Sequence, residues 1–103
     1  MIRHLVFLRY KPEIPQDTRQ KLMEALSALQ EEIGGILAFE HRPNVSPEDA
    51  VVHNFRDMFW FDFKDAETRD SYLANSKHKA IGKQLVEATE GGIKGVFVCD
   101  IEL

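Results

Sequence analysis

Residues 2 to 10 read Ile-Arg-His-Leu-Val-Phe-Leu-Arg-Tyr and form a predicted strand with apolar side chains on both faces. Side chains alternate between the faces of a strand, so His4, Val6 and Leu8 share one face while Leu5 and Phe7 share the other. A strand that is apolar on both faces is covered on both sides. The stretch therefore predicts a sheet with a layer of structure packed on each face.

The rest of the chain divides into one clear helix, three further strands and a second helical region. Apolar residues recur at helical spacing from Leu22 to Ile33, and Gly34-Gly35 ends that helix. The further strands are predicted over residues 36–42, 55–63 and 93–103. Between the first two of these, turn-forming residues over 43–52 indicate a loop.

The second helical region is split in two and precedes the last strand. Asp65 is a good N-cap for a short helix that carries Tyr72, and Ser76 is expected to cap a second helix. The order β-α-β-β-α-β is that of the ferredoxin-like α+β fold, a four-stranded antiparallel sheet with helices on one face. We therefore expect residues 1–103 to form a single domain with this fold.

Helices on one face leave the opposite face of this sheet uncovered. Phe7, Trp60 and either Val96 or Phe97 would then lie in water in a monomer, and soluble monomers rarely expose such an apolar patch. Packing against a second copy removes the patch, because a two-fold symmetric dimer brings the same surface of each copy together. The pattern thus predicts a barrel-like homodimer.

Composition and charge argue against several other classes of protein. The net charge is -4 and the pI is about 5.5, so the basic surface typical of nucleic-acid binding is not expected. The apolar runs are too short to span a membrane and no secretory signal is visible, which favours a cytoplasmic protein. The single cysteine, Cys99, lies in an apolar run and is expected to be buried and unreactive.

Several stretches of the chain form a recognisable set: residues 1–12 with the strand histidine His4 and the Lys11-Pro12 turn, residues 35–40, residues 61–67, Tyr72-Leu73 and the helix-start histidine His78. Together they resemble the stress-responsive A/B barrel (Dabb) family, part of the dimeric α+β barrel superfamily. Their order and spacing cover essentially the whole chain. The resemblance implies the ferredoxin-like fold and the homodimer.

The best-understood branch of that family contains plant polyketide cyclases, which close an aromatic ring by aldol condensation. In that branch the residues that correspond to Tyr72 and His78 carry catalysis, and histidines at the positions of His4 and Asp57 line the pocket. The resemblance therefore implies a site around these four positions. The chain differs in having Asp57 in place of a histidine, and residues 75–78 read Asn-Ser-Lys-His where the family often has His-Pro-x-His.

The residue types at these positions favour acid–base chemistry. His78 is expected in the first turn of a helix, where the helix dipole disfavours positive charge, so its ring should stay neutral. A neutral ring suits a general base or a hydrogen-bonding role, and the alternative is a structural histidine bonded to nearby backbone or to its sheet neighbours. Asp57 is expected on the same sheet face as His4, where contact would raise the pKa of His4 and fix its tautomer. Tyr72 would donate a hydrogen bond to a substrate oxygen. In the alternative interpretation, His4 and Tyr72 are core residues and Asp57 lies at an exposed strand start.

Apolar side chains would line the rest of the pocket. They are Val6, Phe59, Phe61 and Phe63. We expect neither a cofactor nor a metal, because the chain has no nucleotide-binding motif and its four histidines lack the usual spacing of metal ligands.

Three functions stay open at this point. The first is a homodimer that binds a small apolar or aromatic ligand between sheet and helices and can catalyse cofactor-free chemistry of the cyclase or lyase type. The second is a non-enzymatic dimeric stress-response or accessory protein whose pocket is filled by phenylalanines. The third, by fold analogy alone, is a cofactor-independent monooxygenase. An open cavity beside His78 and Tyr72 favours the first function, and a filled core favours the second.

Overall fold

Four β-strands and four α-helices make up the fold, and the computed structural model describes all 103 residues. The strands are β1 (Ile2–Leu8), β2 (Ile36–Pro43), β3 (Asp57–Phe63) and β4 (Val96–Glu102). The helices are α1 (Gln16–Ala28), α2 (Asp49–Val52), α3 (Ala66–Ala74) and α4 (Ser76–Ala88), with 3-10 turns at Leu29–Glu31 and Gly92–Gly95. All strands pair antiparallel in the order β2-β3-β1-β4. The predicted ferredoxin-like α+β fold is confirmed.

The helices cover one face of the sheet and form the core with it. Alternate residues of β1 and β3 belong to this face, and the pairs are His4 with Phe61, Val6 with Phe59, and Leu8 with Asp57. Leu26 of α1 and Tyr72 of α3 pack into the same core and are 0% and 1% exposed. Burying one leucine or phenylalanine side chain contributes about 1.5–3 kcal/mol, so this layer supplies a large share of the stability.

The opposite face of the sheet is bare and largely apolar. Phe7 of β1 lies beside Phe97 of β4, with ring centroids 5.7 Å apart, and Trp60 of β3 belongs to the same face. Phe97 is 55% exposed, whereas Val96 has the opposite parity and packs against the core. Of the two alternatives for β4, Phe97 is therefore the residue on the uncovered face. Cys99 shares this face and is only partly buried, so its expected full burial is wrong for the single chain.

Two capping residues place α3 and α4. The Asp65 carboxylate accepts a hydrogen bond from a backbone N–H of the first turn of α3 at 2.9 Å, which confirms the predicted cap. The cap of α4 is Asn75 and not the predicted Ser76, because the Asn75 side-chain oxygen accepts from the N–H groups of Lys77 and His78 at 2.9 and 3.0 Å. Asparagine and serine are equally good caps, so adjacent candidates cannot be separated by residue type.

The segments between the regular elements differ from the prediction in two places. β4 begins at Val96 because Gly92–Gly95 forms a 3-10 turn before it. A Cβ at Gly95 would lie 2.5 Å from the Glu90 carbonyl oxygen, so this close approach requires glycine. The predicted loop 43–52 also contains the short helix α2. None of the helices has both the length and the apolar character needed to cross a membrane.

Candidate functional site

A cavity of about 500 Å³ opens between helices α3 and α4 and strands β1 and β4. Its walls are mostly apolar and include Val6, Phe59 and Leu85. Titratable side chains also reach it, and they are His4, Tyr72, His78, Lys79 and Asp100. A mostly apolar cavity of this size with a few converging polar groups is the usual form of a small-molecule site. We call it the histidine cavity.

Tyr72 and His78 lie side by side in the histidine cavity. α3 carries Tyr72, and the Asn75 cap that starts α4 brings His78 next to it, so that their ring centroids are 4.0 Å apart. Tyr72 is almost completely buried, and this burial raises the pKa of its hydroxyl. The hydroxyl therefore stays protonated and can donate a hydrogen bond to a bound oxygen.

Burial also keeps the His78 ring neutral. The pKa of His78 is lowered chiefly by burial, and the nearby His4 and Lys79 add to the shift. The backbone carbonyl of Leu73 raises the pKa of His78 and so opposes this shift. The buried Nδ1 of His78 nevertheless makes no well-formed hydrogen bond. The first-turn position in α4 acts in the same sense as burial, because the helix dipole disfavours positive charge there. A neutral imidazole beside a tyrosine can accept a proton from a bound molecule.

His4 is held by a chain of charged groups. Its Nδ1 lies 2.6 Å from Oδ1 of Asp100, which faces it across β1 and β4. Oδ2 of Asp100 accepts a hydrogen bond from Nη1 of Arg69 at 3.1 Å, and Nε of Arg69 donates to Asp70 at 3.1 Å. An ionised carboxylate can only accept, so Nδ1 of His4 carries a proton and Nε2 is the nitrogen left for the cavity.

The expected pairing of Asp57 with His4 is wrong. Both residues belong to the helix-covered face, but Asp57 pairs with Leu8, at the other end of β1. The ion-pair partner of Asp57 is Arg19 of α1, whose Nη1 lies 3.8 Å from Oδ2. Alternation along a strand fixes the face of a side chain but not its level along the sheet, which depends on how the strands align.

Asp100 and Lys79 are polar residues of this site that the sequence interpretation missed, and Asp100 is the one that contacts a predicted residue. It has the same parity as Val96 and Val98 on β4, so its position on the helix side could have been inferred from the alternation of that strand. Its partner could not, because the contact with His4 joins residues 96 positions apart in the chain.

Of the four apolar residues expected to line the pocket, two do so. Val6 and Phe59 line the histidine cavity. Phe61 and Phe63 are 0% exposed and instead pack against Tyr72, with ring centroids 4.7 and 5.1 Å from that of the tyrosine. They therefore support the Tyr72 ring and are not exposed to a ligand. The core is filled by phenylalanines on part of the Tyr72 surface and open beside His78.

Comparison with known proteins identifies the family of the chain. The model of the Dabb family, the Stress Responsive A/B Barrel Domain, matches residues 2–103. The chain belongs to the Dabb family. The resemblance seen in the sequence is thereby confirmed. No curated protein matches this Dabb chain in sequence.

Solved structures share the Dabb fold over nearly the whole chain. A dimeric ferredoxin-like protein of unknown function from Jannaschia sp. CCS1 is 29% identical, with 99% of this chain and 98% of that chain covered and a TM-score of 0.89. A protein from Arabidopsis thaliana is 18% identical over 100% and 95% of the two chains, with a TM-score of 0.87. Hydroxynitrile lyase from Passiflora edulis is 16% identical over 99% and 92%, with a TM-score of 0.82. At such identities the last two are similar in fold alone.

The two remaining histidines of this Dabb protein lie outside the site. His41 is on β2 and His53 follows α2; both are exposed, and neither lines the histidine cavity. No group of three or more histidine, cysteine, aspartate or glutamate side chains is arranged to hold a metal ion.

Proposed function

We propose that this Dabb protein is a homodimer that binds a small apolar or aromatic carbonyl compound in the histidine cavity and moves a proton on it without a cofactor. The observation that carries the proposal is the open cavity of about 500 Å³ on which His78, Tyr72 and His4 converge. Its mostly apolar walls suit an apolar or aromatic body, and its few polar groups suit a single carbonyl.

His78 and Tyr72 have complementary roles in this reaction. The neutral His78 accepts a proton from the carbon next to the carbonyl, and the electron pair of that C–H bond forms the enolate. Tyr72 donates a hydrogen bond to the carbonyl oxygen as its negative charge grows. The cycle closes when the proton returns from His78, either to the same carbon or to the oxygen formed when the enolate attacks a second carbonyl.

His4 is a positioning residue in this proposal. Asp100 accepts from its Nδ1, so the orientation of the ring is fixed. The His4 ring makes an edge-on contact with the Tyr72 ring, with centroids 5.6 Å apart, and thereby helps to hold the tyrosine in place. Asp57 lies at the other end of the sheet face and takes no part in this reaction.

Packing of two copies through their bare sheet faces completes the proposed assembly. Phe7, Trp60 and Phe97 would be removed from water by such packing. Arg3 and Asp62 lie on the same face and form a bidentate ion pair, at 2.8 and 3.1 Å, so their charges are already paired and hydrogen-bonded before burial. The Jannaschia protein, which is described as dimeric, supports the same assembly for this chain.

Sedimentation equilibrium tests the assembly. Phe97→Asp places a charge on the apolar face beside Phe7 and should convert the dimer to a monomer. Gln84→Asp, at an exposed side chain of α4 on the helix side of the sheet, should leave the dimer intact. A wild-type protein that sediments as a monomer would contradict the proposed dimer.

Hydrogen–deuterium exchange of a simple ketone tests the chemistry. In D₂O the protein should accelerate loss of the benzylic proton signals of phenylacetone, followed by proton NMR. His78→Gln should lower the protein-dependent rate by about a hundredfold or more, because general-base catalysis contributes roughly 10²–10⁴. Tyr72→Phe removes only the oxygen and should lower the rate by a smaller factor. His53→Gln, at an exposed histidine outside the cavity, should leave the rate unchanged.

Two outcomes would contradict the proposed reaction. Saturable binding of phenylacetone without exchange would refute the proton transfer and support the non-enzymatic alternative, a dimeric accessory protein. The packing of Phe61 and Phe63 on Tyr72 is the observation that favours this alternative, because these rings take up space that a larger substrate needs. The absence of both binding and exchange would also refute the proposal that the cavity takes a carbonyl ligand of this kind.

A further inference from the structure

A second cavity, of about 360 Å³, lies at the opposite end of the helix-covered face from His4. It is bounded by the first half of α1 and by the ends of β1, β2 and β3 that are remote from His4. Apolar side chains form part of its wall, among them Leu8, Met23 and Pro43. Polar side chains make up most of the rest, and we call it the polar cavity.

Tyr10 supplies a buried, unpartnered hydroxyl to the polar cavity. The residue is 8% exposed, and its hydroxyl has no hydrogen-bond partner in the protein. Burial raises the pKa of Tyr10 to about 12; the Asp57 carboxylate adds to this shift and Arg19 opposes it. Tyr10 and both of these charged groups line the polar cavity, and the buried hydroxyl lies next to them. A buried donor without an acceptor is costly, and a bound acceptor would remove that cost.

Arg19 and Asp57 keep hydrogen-bonding capacity beside this hydroxyl. The Arg19 guanidinium lies over the Tyr10 ring, with Cζ 4.7 Å from its centroid. Nε and Nη2 of Arg19 donate to the carbonyls of Ile14 and Lys11 at 3.0 and 3.3 Å, which fixes the side chain. Its remaining nitrogen, Nη1, is 3.8 Å from Asp57, too far for a hydrogen bond. Nη1 of Arg19 and the Asp57 carboxylate therefore face each other without forming a hydrogen bond.

The charges around the polar cavity cancel. Arg19 faces Asp57, and Arg42 at the rim is paired with Glu40 at 2.7 Å. The other polar groups at the rim are the side chains of Gln16, Gln20 and His41. A charged ligand would thus find no uncompensated opposite charge, whereas an uncharged polar ligand would meet both donors and acceptors.

We infer that the polar cavity binds a small uncharged polyhydroxyl compound of the sugar class. A ligand here must accept hydrogen bonds from Tyr10 and Arg19 and donate one to Asp57 within a short distance. An alcohol hydroxyl is the group that does both, and several adjacent hydroxyls satisfy all three partners. The Leu8 and Met23 side chains can pack against the C–H groups of such a compound. This site is separate from the histidine cavity and does not depend on the function proposed for it.

Titration with three sugars of similar size tests the inference. D-glucose is uncharged, D-glucuronate is negative and D-glucosamine is positive. We expect glucose to produce saturable NMR shifts at the Tyr10 ring and the Arg19 Nε–H, and the two charged sugars to bind more weakly. Tyr10→Phe removes only the hydroxyl and should weaken glucose binding about five- to tenfold. Tyr72→Phe, in the histidine cavity, should leave glucose affinity unchanged.

Three results would overturn the inference. They are the absence of saturable shifts with glucose, tighter binding of either charged sugar, and equal glucose affinity of the wild type and Tyr10→Phe. The variant keeps the ring under Arg19, so we expect it to fold, and its unfolding midpoint checks this. If it does not fold, Asp57→Asn carries the same test, because it removes the charged acceptor and should weaken glucose binding by a similar factor.

Discussion

The polar cavity and the His4–Asp100 pair of the histidine cavity lie at opposite ends of one sheet face, and each cavity combines a buried tyrosine with a carboxylate. In the histidine cavity the carboxylate is Asp100, held at 2.6 Å from His4 and 3.1 Å from Arg69. In the polar cavity it is Asp57, which stays 3.8 Å from Arg19. One carboxylate is therefore joined to its neighbours by hydrogen bonds, while the other faces its cation across a gap.

This difference indicates what each end can do. The hydrogen bonds of Asp100 fix the His4 ring in one orientation and one tautomer, as its positioning role beside the proposed base His78 requires. An open pair keeps free donors and acceptors, which reversible binding requires because the ligand must supply the missing partners. In our two proposals, the same sheet face thus holds a rigid end for proton transfer and an unsatisfied end for recognition.

We expect the largest effect from truncating Phe59, whose side chain lies on the sheet face between the levels of His4 and Asp57. Phe59 lines the histidine cavity, and Asp57, two residues before it on β3, lines the polar cavity. Phe59→Ala should lower the free energy of unfolding by about 3–5 kcal/mol, because it leaves a void in the core. Urea unfolding at a fixed protein concentration measures this loss.

The matched control for Phe59→Ala is Val45→Ala, at a side chain that is 84% exposed. It should change the free energy of unfolding by less than about 0.5 kcal/mol. An equally small loss for Phe59→Ala would mean that the two cavities are not separated by a packed layer, and the comparison between them would fail.

The next largest effect is expected from removing the charge of Asp100, which joins His4 and Arg69. Asp100→Asn removes the charge that His4 and Arg69 share and should lower the free energy of unfolding by about 1–3 kcal/mol. Asp70→Asn removes the other, exposed partner of Arg69 and should cost less than about 0.5 kcal/mol. Equal losses in urea unfolding for the two variants would show that Asp100 is no more than a surface partner of Arg69.

The sequence predicted the rigid end better than the unsatisfied one. His4, Tyr72 and His78 come together as the family resemblance implied, because the order of the elements already determines that β1 meets α3 and α4. Asp100 and Arg69 could not be assigned, since their contact depends on the register of β4 and on a helix side chain reaching a residue 31 positions away.

The polar cavity was not predicted at all, and Asp57 was assigned to the wrong end. Tyr10 and Arg19 meet only through the way α1 packs on the sheet, which no periodicity in either segment encodes. The sequence assigned Asp57 to the correct face of the sheet but to the wrong position along it. Alternation along a strand shows which face a side chain is on and not which residue of the neighbouring strand lies beside it. Side-chain pairings between distant elements are thus the part that residue patterns leave undetermined.

A smaller effect distinguishes the rigid end by its pH dependence. Burial lowers the pKa of His78 from its ordinary value of 6.5, so the ring stays neutral at a pH where a free histidine is half charged. The phenylacetone exchange rate should therefore remain above half of its plateau at pH 6.5 and fall only at lower pH. A midpoint at or above 6.5 in the NMR rate profile would show that His78 is not held neutral by its surroundings.

The smallest effect concerns the charge of Asp57 in the open pair. Burial raises the pKa of Asp57, and Arg19 opposes the shift only in part. Because the folded protein holds this proton more tightly than the unfolded chain, the stability contributed by the protonated form is present at low pH and lost as the pH rises through the folded pKa. Relative to Asp57→Asn, the wild type should thus lose stability between acidic and neutral pH.

The difference should stay below about 1 kcal/mol, since Asp57 is only half-buried and its pair with Arg19 is screened by water. Urea unfolding of both proteins on either side of the Asp57 titration measures it. If the wild type instead gained stability over Asp57→Asn as the pH rose, attraction to Arg19 would exceed the cost of burial. The pair would then already be satisfied like Asp100, and the contrast between the two ends of the sheet face would disappear.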